Sequence, residues 1–269
     1  MTGIKKGSVV LTGAGGGMGQ ATATKLIKEG YEVFGLDIRE PDAVKGLRFI
    51  KTNLSDPESV EHAFKQVSAE TDEICDIIHM AGMFDMDSFV EIREEDLIKI
   101  FNVNLFAIMR VNRIFLPLLA KEGTIVITSS ELAPLDPLPF TGIYAVTKAA
   151  VEKYAYSLRM ELQLLGYHVS VIRPGAVDTR FLKISTDRLK AFCDGTKMYA
   201  FNAVKFRNIV DRAESVRVKP EKVADKAYAA LTSKKPKFIY KLNRNIWLLM
   251  LNAVPDRLQT RMIGKILRS

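Results

Sequence analysis

Residues 8–30 read SVVLTGAGGGMGQATATKLIKEG, and this stretch decides the fold. A short β-branched run leads into a glycine-rich turn, and the turn leads into apolar positions at helical spacing that end at Gly30. A second apolar run, YEVFGLD, follows at once. Strand, turn, helix and strand in this order is the arrangement that holds a dinucleotide pyrophosphate at a helix N-terminus. The sequence therefore predicts a dinucleotide-binding unit at the start of the chain.

The rest of the chain continues the alternation of strands and helices. Further apolar runs read LRFIKTNLSD, EICDIIHMAG, TIVITSS, HVSVIRPG and KFIYKL, and helical patterns separate most of them, including a long one from Glu94 to Gly123. Strands that are apolar on both faces belong to parallel sheets covered on both sides. We predict an α/β fold with a doubly wound parallel sheet, a Rossmann fold, in one domain over residues 1–245. A C-terminal extension covers residues 246–269.

Composition narrows the classes of protein. The chain has 269 residues, 48% of them hydrophobic, which is enough for a core without disulfides or metal. Cys75 and Cys193 lie far apart, so we expect a reducing cytoplasmic location, and the three scattered histidines predict no metal site. The sequence contains no apolar run of about 18 residues, so we predict no membrane-spanning helix. The net charge of +8 either attracts phosphates, nucleic acid or anionic lipid, or serves solubility, and no base-reading motif favours nucleic acid.

The glycine turn and the residues after the second strand indicate which dinucleotide binds. Gly13, Gly17 and Gly19 allow backbone N–H groups to approach a pyrophosphate without an intervening Cβ. Asp37 ends the second strand, where a carboxylate accepts hydrogen bonds from both adenine-ribose hydroxyls and repels a 2′-phosphate. Arg39 is either a solvated charge or a guanidinium that holds such a phosphate. The prediction is NAD rather than NADP.

A tyrosine and a lysine stand four positions apart in the stretch YAVTK. Tyr144 and Lys148 share one helix face at this spacing. A phenol with a pKa near 10 is neutral at pH 7, and a neighbouring ammonium lowers that pKa. The pair is therefore a candidate for proton exchange with an alcohol or a carbonyl.

Six short motifs occur in a fixed order: TGAGGGMG, DIIHMAG, NVNL, ITSS, YAVTK and IRPGAVDT. In this order the chain resembles the short-chain dehydrogenase/reductase family over roughly residues 5–240. The resemblance implies that Tyr144 is the catalytic acid/base and that Lys148 depresses its pKa and holds the nicotinamide ribose. It also implies that Ser130 hydrogen-bonds the substrate oxygen, with Ser129 as the weaker candidate, and that Asn104 keeps a water-linked proton relay to the lysine.

The same resemblance assigns cofactor contacts along the chain. The implied residues are Gly13, Gly17, Met18, Gly19, Asp37, Asn53, Leu54, Ala81, Gly82, Tyr144, Lys148, Val177 and Thr179. Two positions depart from the family pattern. His79 and Met80 replace the usual pair of asparagines before Ala81, and Asn53 replaces an aspartate beside the adenine.

The last third of the chain is expected to select the substrate. Residues 181–219 follow the sixth strand and are predicted to form a lid, with apolar residues such as Phe181, Leu182, Phe192 and Phe206 that either face the substrate or pack on the body. An apolar lid favours a hydrophobic substrate such as a hydroxysteroid or bile acid, with a retinoid, fatty or aromatic alcohol as the alternative. Glu131 is either a second acid/base or a carboxylate at the rim.

The C-terminal extension reads as a basic amphipathic helix. It is predicted to lie on a membrane surface, over the lid or over a partner subunit, and similar tails occur in family members that resemble hydroxysteroid and retinol dehydrogenases. The long apolar helix from Glu94 predicts a homo-oligomer, because one of its faces is left for a second copy. A non-catalytic dinucleotide sensor on the same fold is the alternative of another class.

Overall fold

A parallel sheet of seven strands forms the centre of the described structure. The computed structural model describes residues 6–42, 44–213 and 217–268, without the side chains of residues 181–183 and 211–213. The strands lie in the order β3-β2-β1-β4-β5-β6-β7. They are β1 Ser8–Thr12, β2 Glu32–Asp37, β3 Arg48–Lys51, β4 Ile74–His79, β5 Leu119–Thr128, β6 His168–Pro174 and β7 Ile239–Leu242. The predicted doubly wound α/β fold is confirmed.

Helices cover both faces of this sheet. They are α1 Gly17–Lys28, α2 Pro57–Ser68, α3 Glu94–Phe101, α4 Ala107–Phe115, α5 Gly142–Leu162, α6 Arg180–Gly195, α7 Ala200–Ala213, α8 Pro220–Leu231, α9 Ile246–Asn252 and α10 Asp256–Arg268. Strand residues pack into two hydrophobic clusters. Phe34, Val10 and Ile77 contribute to one of them, and Leu11 and Ile78 contribute to the other. Burial on both faces explains why the strand sequences are apolar without alternation.

The strand order reverses between β1 and β4. From β1 the chain builds outward through β2 to β3, and it then returns to place β4 on the other side of β1. The carboxyl ends of the two strands stay in register, because Thr12 pairs with His79 and the N–H of Met80 donates to the carbonyl of Thr12 at 3.0 Å. In open α/β sheets ligands bind at such a switch point. The fold therefore places the glycine turn after β1 beside Ala81 and Gly82 after β4.

The helix predicted from Glu94 to Gly123 is present as helical backbone, but it is irregular and ends earlier, at Leu118. A π-helical segment, Asn102–Phe106, separates α3 from α4, and a 3₁₀ turn, Leu116–Leu118, ends the helical part. Pro117 has no N–H to donate, and the chain from Leu119 onward joins β5 instead. The wider turn of the π segment contains the buried Asn104.

The prediction of a single C-terminal helix is wrong. Two helices, α9 and α10, form instead, and Pro255 lies in the turn between them. Proline breaks the hydrogen-bond ladder and disfavours helical backbone in the residue before it. α10 packs against α7, where the Nδ2 of Asn202 donates to the carbonyl of Leu267 at 2.7 Å.

The lid region consists of α6 and α7. Phe192 and Phe206 pack on Phe140 with ring centroids 4.6 and 5.4 Å apart, so these two aromatics pack on the body. Met198 and Phe201 are exposed. Residues 214–216 of the predicted lid, and the side chains of Phe181 and Leu182, lie outside the described residues.

His79 at the end of β4 is part of the core rather than of a cofactor contact. Its Nε2 donates to the Oδ1 of Asn112 on α4 at 2.8 Å, and the Nδ2 of Asn112 donates to the hydroxyl of Tyr154 on α5 at 3.0 Å. Burial lowers the pKa of His79 from 6.5 to about 4. The imidazole is therefore neutral in the folded chain at neutral pH.

This burial predicts a loss of stability in mild acid. The unfolded chain protonates His79 below pH 6.5 and the folded chain only near pH 4, so between these values stability falls as pH falls. His79→Asn retains a polar partner for Asn112 without a titrating group. Between pH 7 and pH 5 it should reduce the loss of unfolding free energy by about 2 kcal/mol in urea titrations. The raised pKa of Asp76, about 6, acts in the opposite direction in both proteins and cancels in the comparison.

His62→Asn, on an exposed face of α2, is the control. If the unfolding free energy falls equally with pH in His79→Asn and in wild type, the account is contradicted.

Candidate active site

A cavity opens at the carboxyl ends of β1, β4, β5 and β6. It encloses about 210 Å³, and most of its lining is apolar. Eleven of the residues that the sequence singled out line it together: Met18, Met80, Ala81, Gly82, Ser129, Ser130, Glu131, Tyr144, Lys148, Val177 and Thr179. The wall opposite the glycine turn comes from the loop before α5, from α7 and from α9, with Leu135, Leu138, Ile209, Val210 and Leu248.

Tyr144 and Lys148 face this cavity from the first turns of α5. Only 7% of Tyr144 and 3% of Lys148 are exposed to solvent. The ammonium of Lys148 donates to the carbonyl of Thr128 at 3.1 Å and lies 5.7 Å from the ring centroid of Tyr144. Phe84 also packs against the phenol, with ring centroids 4.9 Å apart. The helical spacing thus fixes the two groups side by side in a nearly dry site.

Burial dominates the titration of both groups. It raises the pKa of Tyr144 to about 12, against a smaller lowering by the hydrogen bond to Ser130. It lowers the pKa of Lys148 to about 8, against the raising effect of the Glu152 carboxylate. In the protein without cofactor, removal from water opposes the phenolate of Tyr144 and outweighs the hydrogen bond that favours it. The lowering of this pKa by Lys148 together with an oxidised nicotinamide stays a prediction.

Ser130, and not Ser129, carries the hydroxyl next to the phenol. Ser130 hydrogen-bonds Tyr144, and its Oγ accepts the N–H of Leu132 at 3.2 Å. The hydroxyl of Ser129 points to the backbone of α5 instead, 3.4 Å from the carbonyl of Lys148. The structure thus separates the two serines that the sequence left as alternatives.

Asn104 anchors the backbone that follows β4. Its Oδ1 accepts the N–H of Met83 at 2.7 Å, and its Nδ2 donates to the carbonyl of Met83 at 2.9 Å and to the hydroxyl of Thr147 at 3.0 Å. A Cβ built on Gly82 would lie 3.6 Å from both the Oδ1 of Asn104 and the Nζ of Lys148. Asn104 and Lys148 therefore flank Gly82, with the buried amide held rigidly by three hydrogen bonds.

The glycine turn fits a pyrophosphate. Gly13 has a φ of +75°, and a Cβ there would lie 2.3 Å from the backbone nitrogen of Ala81. A Cβ on Gly19 would lie 2.0 Å from the carbonyl oxygen of Gly13. Gly16 is the N-cap of α1 and has no side chain, so the first N–H groups of the helix are left for an outside acceptor. The turn is thus a cradle of backbone donors that only glycine permits.

The segment after β6 closes over the glycine turn. A Cβ on Gly17 would lie 2.8 Å from the Cγ2 of Thr179. Thr179 is the N-cap of α6, and Val177 pairs with Val218 in an isolated bridge. Met18, Val177 and Thr179 therefore line the cavity where it meets the cradle.

Asp37 and Arg39 lie at the far side of the cradle. The carboxylate of Asp37 accepts the N–H of Gly15 at 2.9 Å and the N–H of Arg39 at 3.0 Å. The guanidinium of Arg39 donates to the carbonyl of Gly15 at 2.8 Å. The Arg39 side chain is exposed to solvent, and this hydrogen bond holds it against the turn.

Asn53 and Leu54 follow β3 on the same side. The Oδ1 of Asn53 accepts the N–H of Ser55 at 3.1 Å, which uses one lone pair of the oxygen that the sequence assigned to adenine. Leu54 is buried in the core, and its carbonyl accepts the guanidinium of Arg110 at 2.6 Å. Sequence reasoning missed Arg110, because nothing local connects α4 with this loop.

Glu131 connects the Ser130 loop to the C-terminal extension. Its Oε2 accepts the N–H of Asn245 at 2.6 Å, and burial raises its pKa. The Oδ1 of Asn252 accepts the N–H of Asp136 at 2.6 Å. Glu131 is therefore bound to the start of α9 rather than free at the rim, and no local signal in the sequence pointed to either contact.

Together these features define a class of protein. A switch-point cradle for a dinucleotide pyrophosphate continues into a cavity that holds a phenol, a serine hydroxyl and an ammonium group. This is the site of a dinucleotide-dependent oxidoreductase.

Comparison with known proteins identifies the family. The family model described as short chain dehydrogenase matches residues 7–189. The uncharacterized oxidoreductase YbbO of Escherichia coli is 32% identical over 273 residues, covering 98% of this chain and 95% of the relative. The chain therefore belongs to the short-chain dehydrogenase family and is an oxidoreductase of that type.

Two further relatives add detail. The NADPH-dependent 1-acyldihydroxyacetone phosphate reductase of Schizosaccharomyces pombe is 29% identical, covering 84% of this chain and 78% of the relative. The crystal structure of a short-chain dehydrogenase from Streptomyces avermitilis superposes with a TM-score of 0.76 at 22% identity, covering 98% of both chains. The second likeness concerns the fold alone.

Proposed function

We propose that this protein interconverts a secondary alcohol and a ketone on a hydrophobic substrate, with NAD as the hydride carrier. The observation that carries the proposal is the placement of the Tyr144 phenol, hydrogen-bonded to Ser130 and one helical turn from Lys148, in an apolar cavity that continues into the glycine cradle. A protein that only senses a dinucleotide has no use for an acid/base in that position.

Each polar side chain has a distinct role in the proposed reaction. The nicotinamide dinucleotide supplies or accepts the hydride when bound. Tyr144 gives a proton to the carbonyl oxygen, or takes it from the alcohol, and Ser130 donates a second hydrogen bond to that oxygen. Lys148 holds the nicotinamide ribose, and its positive charge opposes the rise in the pKa of the phenol. Asn104 holds the backbone at Met83 and supports the proton relay to Lys148.

The lining of the cavity supports a lipophilic substrate. The wall beyond Ser130 consists of Leu135, Pro137, Leu138, Ile209 and Leu248. Such a surface favours a bulky apolar group attached to the carbinol carbon over a sugar. We propose a hydroxysteroid or bile acid, as expected from the sequence, and the apolar wall supports this choice. A retinoid, fatty or aromatic alcohol is the alternative that the same wall supports, and the fission-yeast relative is named for a lipid ketone.

The choice of NAD rests on Asp37. Its carboxylate lies against the turn at Gly15, where it repels a 2′-phosphate and accepts ribose hydroxyls with its remaining lone pairs. Arg39 lies close enough to offer the opposite preference, and the fission-yeast relative is named as NADPH-dependent. We propose that the carboxylate of Asp37, which two backbone N–H groups hold in place, determines the preference for NAD.

We further propose a homo-oligomer in the cytoplasm. Phe106, Val146, Tyr156 and Met160 leave apolar surface exposed on the π segment before α4 and on α5. A second copy of the chain would bury this surface. Cys75 and Cys193 are not joined in a disulfide, which suits a reducing compartment.

Tyr144→Phe should reduce kcat by about 10²–10⁴-fold, because the variant lacks the transferable proton. The assay is NADH oxidation with a panel of ketosteroids, acyl-chain ketones and aromatic ketones. NADH affinity, measured by fluorescence titration, should remain within about twofold of wild type, because the phenol is only one of many contacts. Normal turnover of the variant contradicts the mechanism. NADH binding by wild type without turnover of any member of the panel, and without oxidation of the matching alcohols by NAD⁺, supports the sensor instead.

Asp37→Ser should shift the cofactor preference toward NADP. The substitution removes the like charge and leaves Arg39 to face a 2′-phosphate, so the ratio of kcat/KM for NADP over NAD should rise by at least about tenfold. The double variant Asp37→Ser, Arg39→Ala is the matched control and should lose most of that gain. An unchanged ratio in the single variant would show that another group reads the ribose.

A further inference from the structure

The two faces of α9 meet different surroundings. Asn245, Leu248 and Asn252 recur at helical spacing and line the cavity. On the opposite face Ile246, Trp247 and Met250 are 67%, 77% and 57% exposed. The single helix α9 therefore lies between the cavity and a row of large apolar side chains that are exposed to solvent.

α10 carries a second outward apolar surface. Its inner face packs through Leu267 and Ile263. On its outer face Leu258, Met262 and Ile266 are spaced four residues apart and are 51%, 41% and 52% exposed.

Basic residues accompany the apolar row. Arg257, Arg261, Lys265 and Arg268 run along the exposed side of α10 next to it, and Arg244 precedes α9. Asp256 is the one carboxylate between residues 244 and 268, against five cations. This short segment thus holds a net +4, half of the net charge of the chain. Apolar side chains beside cations on a helix are the pattern of a helix that lies in the headgroup region of a bilayer.

We propose that α9 and α10 form a docking surface for anionic phospholipid bilayers. The apolar side chains from Ile246 to Ile266 enter the boundary between headgroups and acyl chains, and the arginines meet lipid phosphates. The contact is peripheral: within the described residues, every helix is too short or too polar to span a bilayer.

Charge argues against a second copy of the chain on the same surface. A symmetric dimer through α10 would place each basic row against its equivalent, and like charges at close range repel. An anionic surface instead neutralises all five cations. The apolar surface of α5 is separate and remains for subunit contacts.

Docking would bring the cavity to the lipid, and this part of the inference rests on the proposed function. α9 is tied to the Ser130 loop at both ends, through Glu131 to Asn245 and through Asp136 to Asn252. A lipophilic alcohol or ketone in the bilayer would then lie next to the wall of the cavity that α9 forms. The bilayer, rather than water, becomes the source of the substrate.

Trp247 makes the surface directly observable, because it is the only tryptophan in the sequence. Vesicles of phosphatidylcholine with 30% phosphatidylglycerol, taken as roughly the charge of a natural anionic leaflet, should shift its emission to the blue, and brominated lipid should quench it. Pure phosphatidylcholine should give a much weaker response, and added salt should weaken binding to the anionic vesicles. Absence of any response to anionic vesicles overturns the proposal.

Two variants and one matched control test the surface. Leu258→Glu, Met262→Glu removes apolar contact and Arg261→Glu, Lys265→Glu reverses charge; each should weaken cosedimentation at least about tenfold. Leu164→Glu, at an 82% exposed apolar position far along the chain, should bind like wild type. Variants that sediment like wild type contradict the proposal. A wild-type dimer that these variants dissociate, seen by light scattering, assigns the surface to a second copy instead.

Turnover of a water-soluble ketone in the absence of vesicles separates this inference from the proposed function. The two surface variants should reduce a water-soluble ketone at the wild-type rate, because none of their substituted residues lines the cavity. Vesicle binding by wild type without turnover of any carbonyl would leave the docking surface intact and remove the proposed function. Turnover without vesicle binding would do the reverse.

Discussion

The removal of Tyr144 and Lys148 from water is the constraint on which the rest of the site depends. Both side chains are held in one nearly dry cavity, where burial favours the neutral form of each and moves their pKa values to about 12 and about 8. The hydrogen bond from Lys148 to the carbonyl of Thr128 keeps the ammonium beside the phenol. A phenol in this setting keeps its proton until another positive charge or hydrogen-bond donor stabilises the phenolate. The cavity is therefore arranged so that proton release depends on what binds next to it.

The elements that were predicted correctly have local causes. The glycine turn can be recognised from the sequence because Gly13 requires a positive φ and Gly19 tolerates no Cβ. The strands can be recognised because burial on both faces makes them apolar throughout. Tyr144 and Lys148 share a helix face by spacing alone, so their common placement in the cavity followed from the sequence. The parallel sheet and its switch point followed from the alternation of strands and helices.

The features that were missed depend on distant parts of the chain. Glu131 binds the backbone of Asn245, and Leu54 binds Arg110, and neither pairing has a local signal. The long helix widens into a π segment where Asn104 bonds the backbone of Met83, a contact that periodicity does not show. The raised pKa of Tyr144 in the protein without cofactor was not foreseen, because spacing reveals the neighbouring charge but not the depth of burial. His79, which departs from the family pattern, is hydrogen-bonded in the core to Asn112, and Asn112 is hydrogen-bonded to Tyr154. Neither contact has a local signal in the sequence.

The most direct test of the account is the ionisation of Tyr144 with and without NAD⁺. Absorbance at about 295 nm reports tyrosinate, and subtraction of Tyr144→Phe isolates one phenol among the eight tyrosines of the chain. We expect no ionisation of Tyr144 below pH 10 in the free protein, in line with its pKa of about 12. Saturating NAD⁺ should lower that midpoint by at least about two pH units, because its nicotinamide adds a positive charge beside the phenol. A midpoint that NAD⁺ leaves unchanged would contradict the assignment of Tyr144 as the acid/base.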